Sequence, residues 1–582
     1  MRERRMALPR LVNPPLARPG VASMRPLLVL LVVFSLAAGL GMRDPVPPDE
    51  PRFLLAAQQM VESGQWLFPH RGAELYADKP PMFMWLQAAS YVVTGNWQVA
   101  FLLPSLLAAL ATLALTWDAG RRLWSPKVAG YAAFALFACL QFGLQAKRGQ
   151  IDMVVVAMTT LSLWALLRYF LERGDARWLA LGAFAAGLGT VTKGVGFLPL
   201  LLVLPWLIAR RMRPSLAQPS SRRAAHVLVA AGGFLAGVGL WLVPMLVTVR
   251  TSGDPALAAY ANEILWKQTG TRYAQAWQHV KPAWYYLQAV AFLWLPGVLL
   301  APWLLPAWWR RLRRGDPRQV MLLGWSALVL AFFTVSAGKR GVYVFPVLPA
   351  LCMAAAPLLP GLLRIAAARL VLAAYVWAIA AGAGVAGAVL RFGPADRLQA
   401  LVAERGFDVA DLRLLGAWLL ALGVAVAAIG AWRRRAHAGT AVVLVTAAVW
   451  SAFGLGIVPA LEADSSAREL MQETRARIGP QAELALLGWR EQQLLQAGPG
   501  TVEFGFKRAW HLQWADAGPW LARDPSRRWL FVLDEAIGPC VDRAQAVLAG
   551  HSNRREWWLV PGTAWKPGCE TPPFNAEDAG RD

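Results

Sequence analysis

Apolar runs of about 20 residues, the length a bilayer core requires, recur roughly thirteen times between residues 26 and 460. They lie near 26–42, 98–117, 128–146, 151–170, 178–192, 195–210, 226–248, 284–305, 319–335, 342–358, 365–390, 413–432 and 438–460. A chain of 582 residues that is 57% hydrophobic and 16% charged lacks the polar surface of a soluble protein of that size. The expected class is a polytopic α-helical membrane protein with about thirteen transmembrane helices.

Charge gives this reading a separate check. With the N-terminus placed in the cytoplasm, Arg121-Arg122, Arg210-Arg211, Arg310-Arg311 and Arg433-Arg434-Arg435 all fall on the inner side, as the positive-inside rule requires. The net charge of +23 is therefore topological. No basic groove with interleaved aromatics accompanies it, so nucleic acid is not an expected partner. Residues 1–25 form a basic N-terminus, read as the start of an uncleaved signal-anchor because no small-residue cleavage site follows. Residues 26–460 form the membrane domain. Residues 461–582 turn polar, with strand-like runs at Ala482–Leu487, Trp529–Leu533 and Trp557–Val560 and a charged helix at Ala467–Ile478. They read as a small α/β domain outside the membrane. Cys139 and Cys352 sit in apolar runs as small hydrophobes. Cys540 and Cys569 share the polar C-terminal part, where a bridge between them is one of two open possibilities.

The same alternation sends most other ionisable residues to the outer side. The first outer loop, 43–97, carries Asp49, Glu50, Arg52, Tyr76, Asp78 and Lys79. Within it, Phe53, Ala56, Ala57, Met60 and Val61 recur at helical spacing up to Gly64, and Pro80-Pro81 suit the start of a second helix. Both helices are expected to lie in the membrane interface. Arg148 and Asp152, Lys193, His279, and Lys339 and Arg340 with Tyr343 come from later outer turns.

Each group has a bland alternative. Asp49, Glu50 and Asp152 could cap helices, and the cations could snorkel to lipid phosphates. Their convergence from separate loops favours a shared site, and a dense polar cluster at a membrane edge is a site hypothesis by default. Lys and Arg facing outward against the topological bias call for an anionic partner. No His/Cys/Asp spacing suits a structural zinc. No Gly-rich nucleotide loop is present, so nucleotide-sugar use on the inner face is disfavoured.

These residues carry a resemblance. Asp49-Glu50-Pro51-Arg52-Phe53, Glu62-Ser63-Gly64-Gln65-Trp66, Tyr76…Asp78-Lys79-Pro80-Pro81 and Lys147-Arg148…Asp152 resemble the GT-C membrane glycosyltransferases. So do Gly189…Thr192-Lys193-Gly194, His279…Pro282…Trp284-Tyr285-Tyr286 and Lys339-Arg340…Tyr343…Pro346…Pro349. Within that class the chain resembles the aminoarabinose transferases that modify lipid A and, more distantly, the protein O-mannosyltransferases.

The resemblance implies inverting transfer of a sugar from undecaprenyl phosphate, or another polyprenyl phosphate, to a periplasmic acceptor. Lipid A is the expected acceptor and a protein or other glycan the alternative; a transporter of a lipid-linked anion is the reading from another class. Asp49, Asp152 and Glu50 are the expected catalytic carboxylates. Lys79, Arg52, Arg148, Lys339, Arg340, Tyr343 and Lys193 are expected to hold the donor phosphate, and Tyr76, Asp78 and His279 the remaining substrate. No cofactor is expected beyond the lipid-linked donor, with a divalent metal left open. The expected setting is a monomer among the lipids of a bacterial inner membrane, with the C-terminal domain periplasmic.

Overall fold

A computed structural model describes residues 25–172, 174–214, 223–266, 280–402, 408–433 and 437–575. Each of the apolar segments marked out above is helical, because a backbone without water must satisfy its own N–H and C=O groups. Among the described residues, eight helices are long and apolar enough to cross a membrane, or up to ten if each of two bent pairs is one span. That is fewer than the expected thirteen. Pro26–Ala37 and Gly341–Ala355 are shorter apolar helices, and at about 1.5 Å per residue they fall short of a core about 30 Å thick. The segment at 178–192 is a 17-residue helix, Ala176–Thr192. Pro126–Ala138 and Leu140–Ala146 meet at 72°, and Tyr285–Leu293 and Gly297–Arg313 at 101°.

Small residues set the closest helix crossings. Helices Ala176–Thr192 and Arg223–Ser252 meet at Gly187 and Gly237. A β-carbon at either position would run into the backbone carbonyl of Phe234 or Phe184, respectively. Without a hydrophobic driving force in lipid, such backbone approach is what holds helices together.

The first loop folds into helix Glu50–Ser63, a hairpin and helix Met82–Thr94. Asp49 precedes the first helix, Pro51 occupies its first turn, and Gly64 closes it at φ 71° with its N–H on the Met60 carbonyl. The interfacial placement expected for this helix is corrected. Phe53, Ala56, Ala57 and Met60 pack into the membrane-domain core, whereas Leu55 packs into the core of the C-terminal part. Protein covers the apolar stripe from both sides, so little of it is left for lipid. The hairpin pairs β1 (His70–Arg71) with β2 (Glu74–Leu75).

Beyond residue 466 the chain builds a five-stranded sheet. Its strands are β3 (Glu483–Leu487), β4 (Val502–Glu503), β5 (Arg528–Leu533), β6 (Val547–Ser552) and β7 (Arg555–Pro561), in the order β4-β3-β5-β7-β6. β3 runs parallel to β4 and β5, and β7 runs antiparallel to β5 and β6. Trp489, Trp510, Trp514 and Trp557 fill its core. Cys540 and Cys569 are joined in a disulfide.

Candidate active site

Asp49 lies where separated stretches of the chain meet. Gln150 Nε2 donates to its Oδ2 at 3.0 Å, and the guanidinium groups of Arg340 and Arg52 stand 3.6 and 3.7 Å away. Two residues past Gln150, Asp152 sits in the first turn of helix Ile151–Leu171, where the helix dipole favours a negative charge. It pairs with Lys193 at 2.7 Å. The Lys193 ammonium in turn lies 4.8 Å from the centre of the Tyr343 ring, and Tyr343 follows Arg340 by one turn of a tight helix. Four contacts, Gln150–Asp49, Asp49–Arg340, Tyr343–Lys193 and Lys193–Asp152, are joined into a ring by the chain itself between Arg340 and Tyr343 and between Gln150 and Asp152. Arg148, between this ring and the buried Lys147, is exposed and makes no side-chain hydrogen bond or ion pair among the described residues.

The two adjacent acids, Asp49 and Glu50, have different surroundings. Glu50 is buried and receives a forked pair from Arg43 at 2.6 and 2.7 Å. The N–H of Val46 donates to Oε2 at 2.8 Å and that of Gly149 to Oε1 at 2.9 Å. Arg43 also reaches the Lys147 carbonyl at 2.9 Å. Four donors fill both carboxylate oxygens, so the arrangement speaks for Glu50 as a brace between the loop and the 147–150 turn, against the catalytic role expected of it. Next to it, the Lys147 ammonium donates to the Leu36 and Ala38 carbonyls at 3.3 and 2.5 Å. Burial, and then Arg43, push it down to about 7.

A second cluster joins the loop to the C-terminal sheet. Glu491 accepts from Arg52 at 2.7 Å and from Arg71 at 3.3 Å. Arg71 is buried with its guanidinium 3.8 Å from the Phe506 ring centre and 5.4 Å from that of Tyr76. Tyr76 is only 2% exposed. Burial, and then Asp78, raise its hydroxyl above the usual range. It packs under the two arginines, which does not fit the substrate contact expected of it. Asp78 lies 3.7 Å from Lys507, and Lys79 donates to the Asp78 carbonyl at 2.8 Å. Burial works to raise the Asp78 carboxyl, but Lys507, then Arg71, Lys79 and Arg52, outweigh it and hold it below the ordinary carboxylate range. Nearer the membrane domain, Asp44 pairs with Arg468, and its N–H donates to Glu462 at 2.7 Å.

Lys339 also takes another position than expected. It is buried and donates to the carbonyls of Ser336 and Lys281 at 2.5 and 3.1 Å, which commits two of its three N–H groups to the backbone. His279 lies outside the described residues. Among the described residues no group of three or more His, Cys, Asp and Glu side chains is placed to hold a metal ion. Sequence reasoning missed Arg43, Arg71, Glu491 and Lys507. Their partners lie in other segments, and nothing local marks them.

The chain has an ArnT-like GT-C fold. It superposes on the crystal structure of ArnT from Cupriavidus metallidurans bound to undecaprenyl phosphate with a TM-score of 0.71, covering 96% of this chain and 100% of that one at 19% identity. The family model for dolichyl-phosphate-mannose-protein mannosyltransferases matches residues 78–243. Among curated proteins, the chain is similar to undecaprenyl phosphate-α-4-amino-4-deoxy-L-arabinose arabinosyl transferase 1 of Pseudomonas fluorescens. Identity is 30% over 315 residues, 52% of this chain and 53% of that protein. The corresponding transferase of Pseudomonas paraeruginosa is 32% identical over 313 residues, again 52% of this chain and 53% of that protein. The chain spans about half the length of these curated relatives.

Proposed function

We propose that this chain is an inverting glycosyltransferase that moves a sugar from an undecaprenyl-phosphate carrier to a periplasmic acceptor. The observation that carries the reading is the ring through Asp49, with the uncommitted Arg148 beside it: one carboxylate with open coordination among cations drawn from several loops. The relatives are named for transfer of aminoarabinose from undecaprenyl phosphate, and the ArnT of the same fold was crystallised with that lipid phosphate. These names favour sugar transfer from a lipid phosphate over transport; lipid A is the acceptor that the sequence resemblance implies.

The chemistry follows from the charges. An acceptor oxygen attacks the anomeric carbon from the face opposite the carrier, the sugar–phosphate C–O bond breaks, and its electron pair leaves on the lipid phosphate. Arg148, Arg340 and Lys79 supply positive charge where that negative charge gathers. Lys193 and Tyr343 support this wall through Asp152. A phosphate acceptor on lipid A is already ionised and needs no base, so Asp49 orients the acceptor or a sugar hydroxyl. With a hydroxyl acceptor it takes the proton. The proposed setting is a monomer in the inner membrane, N-terminus cytoplasmic, with residues 461–582 as a periplasmic domain clamped over the loop.

The test is incubation of the purified chain with labelled undecaprenyl-phosphate sugars and lipid A, read by mass spectrometry. Asp49→Asn should lower turnover at least about a hundredfold, the lower range for a positioned acid–base group, with unchanged folding. Wild-type turnover by that variant removes Asp49 from the mechanism, and no glycosylated product from the unaltered chain with any such donor overturns the reading.

A further inference from the structure

Helices Leu103–Leu123 and Ile151–Leu171 both start near the Asp49 ring and run 21 residues, about 30 Å. Their far ends meet the C-termini of helices Val203–Met212 and Ala301–Arg313 and the start of Pro317–Val335 around a cavity of about 460 Å³. Arg122, Arg168, Arg213, Arg311, Arg314 and Arg318 line it, against two carboxylates, Glu172 and Asp316. The remaining wall is apolar, with Leu123, Leu167, Leu171, Pro317 and Trp164.

The carboxylates are already committed. Glu172 accepts from Arg122 at 3.5 Å and Arg168 at 3.4 Å, and Arg122 also holds Asp118 at 2.5 Å. Asp316 receives Nε of Arg318 at 3.0 Å, and a second Arg318 nitrogen reaches the Leu123 carbonyl at 2.9 Å. Arg213 donates to the Gly315 carbonyl at 3.0 Å. Arg311 and Arg314 have neither an ion pair nor a side-chain hydrogen bond among the described residues.

Topological bias and helix C-termini explain arginines at this end of the bundle. They do not explain six guanidinium groups facing one concavity, where mutual repulsion is stronger than on an open surface. We propose that this cavity binds a phosphate group, with Arg311 and Arg314 as its principal ligands. Guanidinium forks match phosphate oxygens, and basic pockets between membrane helices hold lipid head groups. The phosphate can belong to an anionic lipid, whose chain would lie along the apolar wall, or be free in solution. The inference stands apart from the transfer reaction.

The full chain in phosphatidylcholine nanodiscs is titrated with inorganic phosphate in one arm. In the other, detergent-purified protein is titrated with phosphatidylglycerol and bound lipid is counted by native mass spectrometry. Arg311→Gln with Arg314→Gln should weaken binding at least tenfold. Arg310→Gln with Arg313→Gln, the same charge change at exposed positions outside the cavity, should leave it unchanged. Loss in the lipid arm alone assigns a head group; loss in the phosphate arm assigns free phosphate. Equal losses in both double variants, or no arginine-dependent binding in either arm, overturn the proposal. If the double variant does not fold, Arg311→Lys decides: it keeps the charge, loses the fork, and should bind severalfold more weakly, whereas wild-type affinity overturns the assignment.

Discussion

Replacing Glu50 by Gln separates a structural carboxylate from a catalytic one. Oε1 accepts from Arg43 and the Gly149 N–H, and Oε2 from Arg43 and the Val46 N–H. Whichever oxygen becomes the amide nitrogen, an NH₂ group then faces two donors. Arg43 also loses its counter-charge while its side chain is only 7% exposed. Breaking a buried pair from one side costs about 3–5 kcal/mol, and the low exposure of both partners leaves solvent little part in screening that cost. At about 1.36 kcal/mol per decade, local opening should rise by roughly two to nearly four orders of magnitude. Hydrogen exchange read by mass spectrometry on peptides covering 43–50 and 147–150 measures this directly, and those amides should lose protection together. Any fall in turnover should track that loosening. Should Glu50→Gln keep wild-type protection at Val46 and Gly149 yet lose turnover, Glu50 acts in the chemistry and the brace argument fails.

Glu491→Gln removes the carboxylate shared by Arg52 and the buried Arg71. It should cost about 3 kcal/mol at this junction, seen as faster exchange across β1 and β2 and easier proteolysis between the membrane domain and the sheet; unchanged exchange there would count against the clamp. Glu462 is pushed from an ordinary 4.5 up to about 8, by burial first and then by the Asp44 side chain, which together outweigh the Asp44 N–H that favours the charged form. A carboxyl raised in the folded state binds its proton more tightly there, so its stabilising contribution is complete below about 4.5 and is lost as pH rises through about 8. Thermal unfolding across that window should show the decline, and Glu462→Gln should flatten it. Lys193→Met leaves Asp152 without its 2.7 Å partner and should lower melting, as loss of one partner of a largely buried pair does. It should also lower kcat/KM at least tenfold at a temperature where the variant is still folded, whereas unaltered kinetics there would remove the ring from the site.

Helix positions were legible because lipid leaves an apolar chain no other way to satisfy its backbone, and Gly64 and Pro81 mark local ends that any context would respect. Crossing number was less so, since bends at Cys139 and Leu295-Pro296 depend on what each half packs against. Alternation of thirteen spans sends Asp49, Arg148, Asp152, Lys193 and Arg340 to one side as an expectation, and the structure pairs Asp49 with Arg340 and Asp152 with Lys193. Alternation does not set where a side chain points. Asp49 and Glu50 are one residue apart, yet a helical step of about 100° turns one toward Gln150 and the other toward Arg43. Arg52 and Glu491 are 439 residues apart in sequence, a pairing with no local signature.

The pattern of acceptor use shows which carboxylate keeps open acceptor sites. An ionised carboxylate offers about four lone-pair sites. Glu50 fills all of its own with protein donors at 2.6–2.9 Å, and Glu491 is drawn to two arginines from the first loop. Among the described residues the Asp49 side chain accepts one hydrogen bond, from a neutral amide at 3.0 Å, and its two arginines stand beyond hydrogen-bonding distance at 3.6 and 3.7 Å. Those arginines hold its charge without occupying its oxygens. The loop that presents it is fixed on either side by braces buried in protein, Arg43 with Glu50 and Arg71 with Glu491, so the open valences of Asp49 are held still instead of being quenched by the collapse of a flexible loop. Rigid support around an unsatisfied polar group is what pre-organised transfer requires, and among the loop's acids it distinguishes Asp49 from its neighbour.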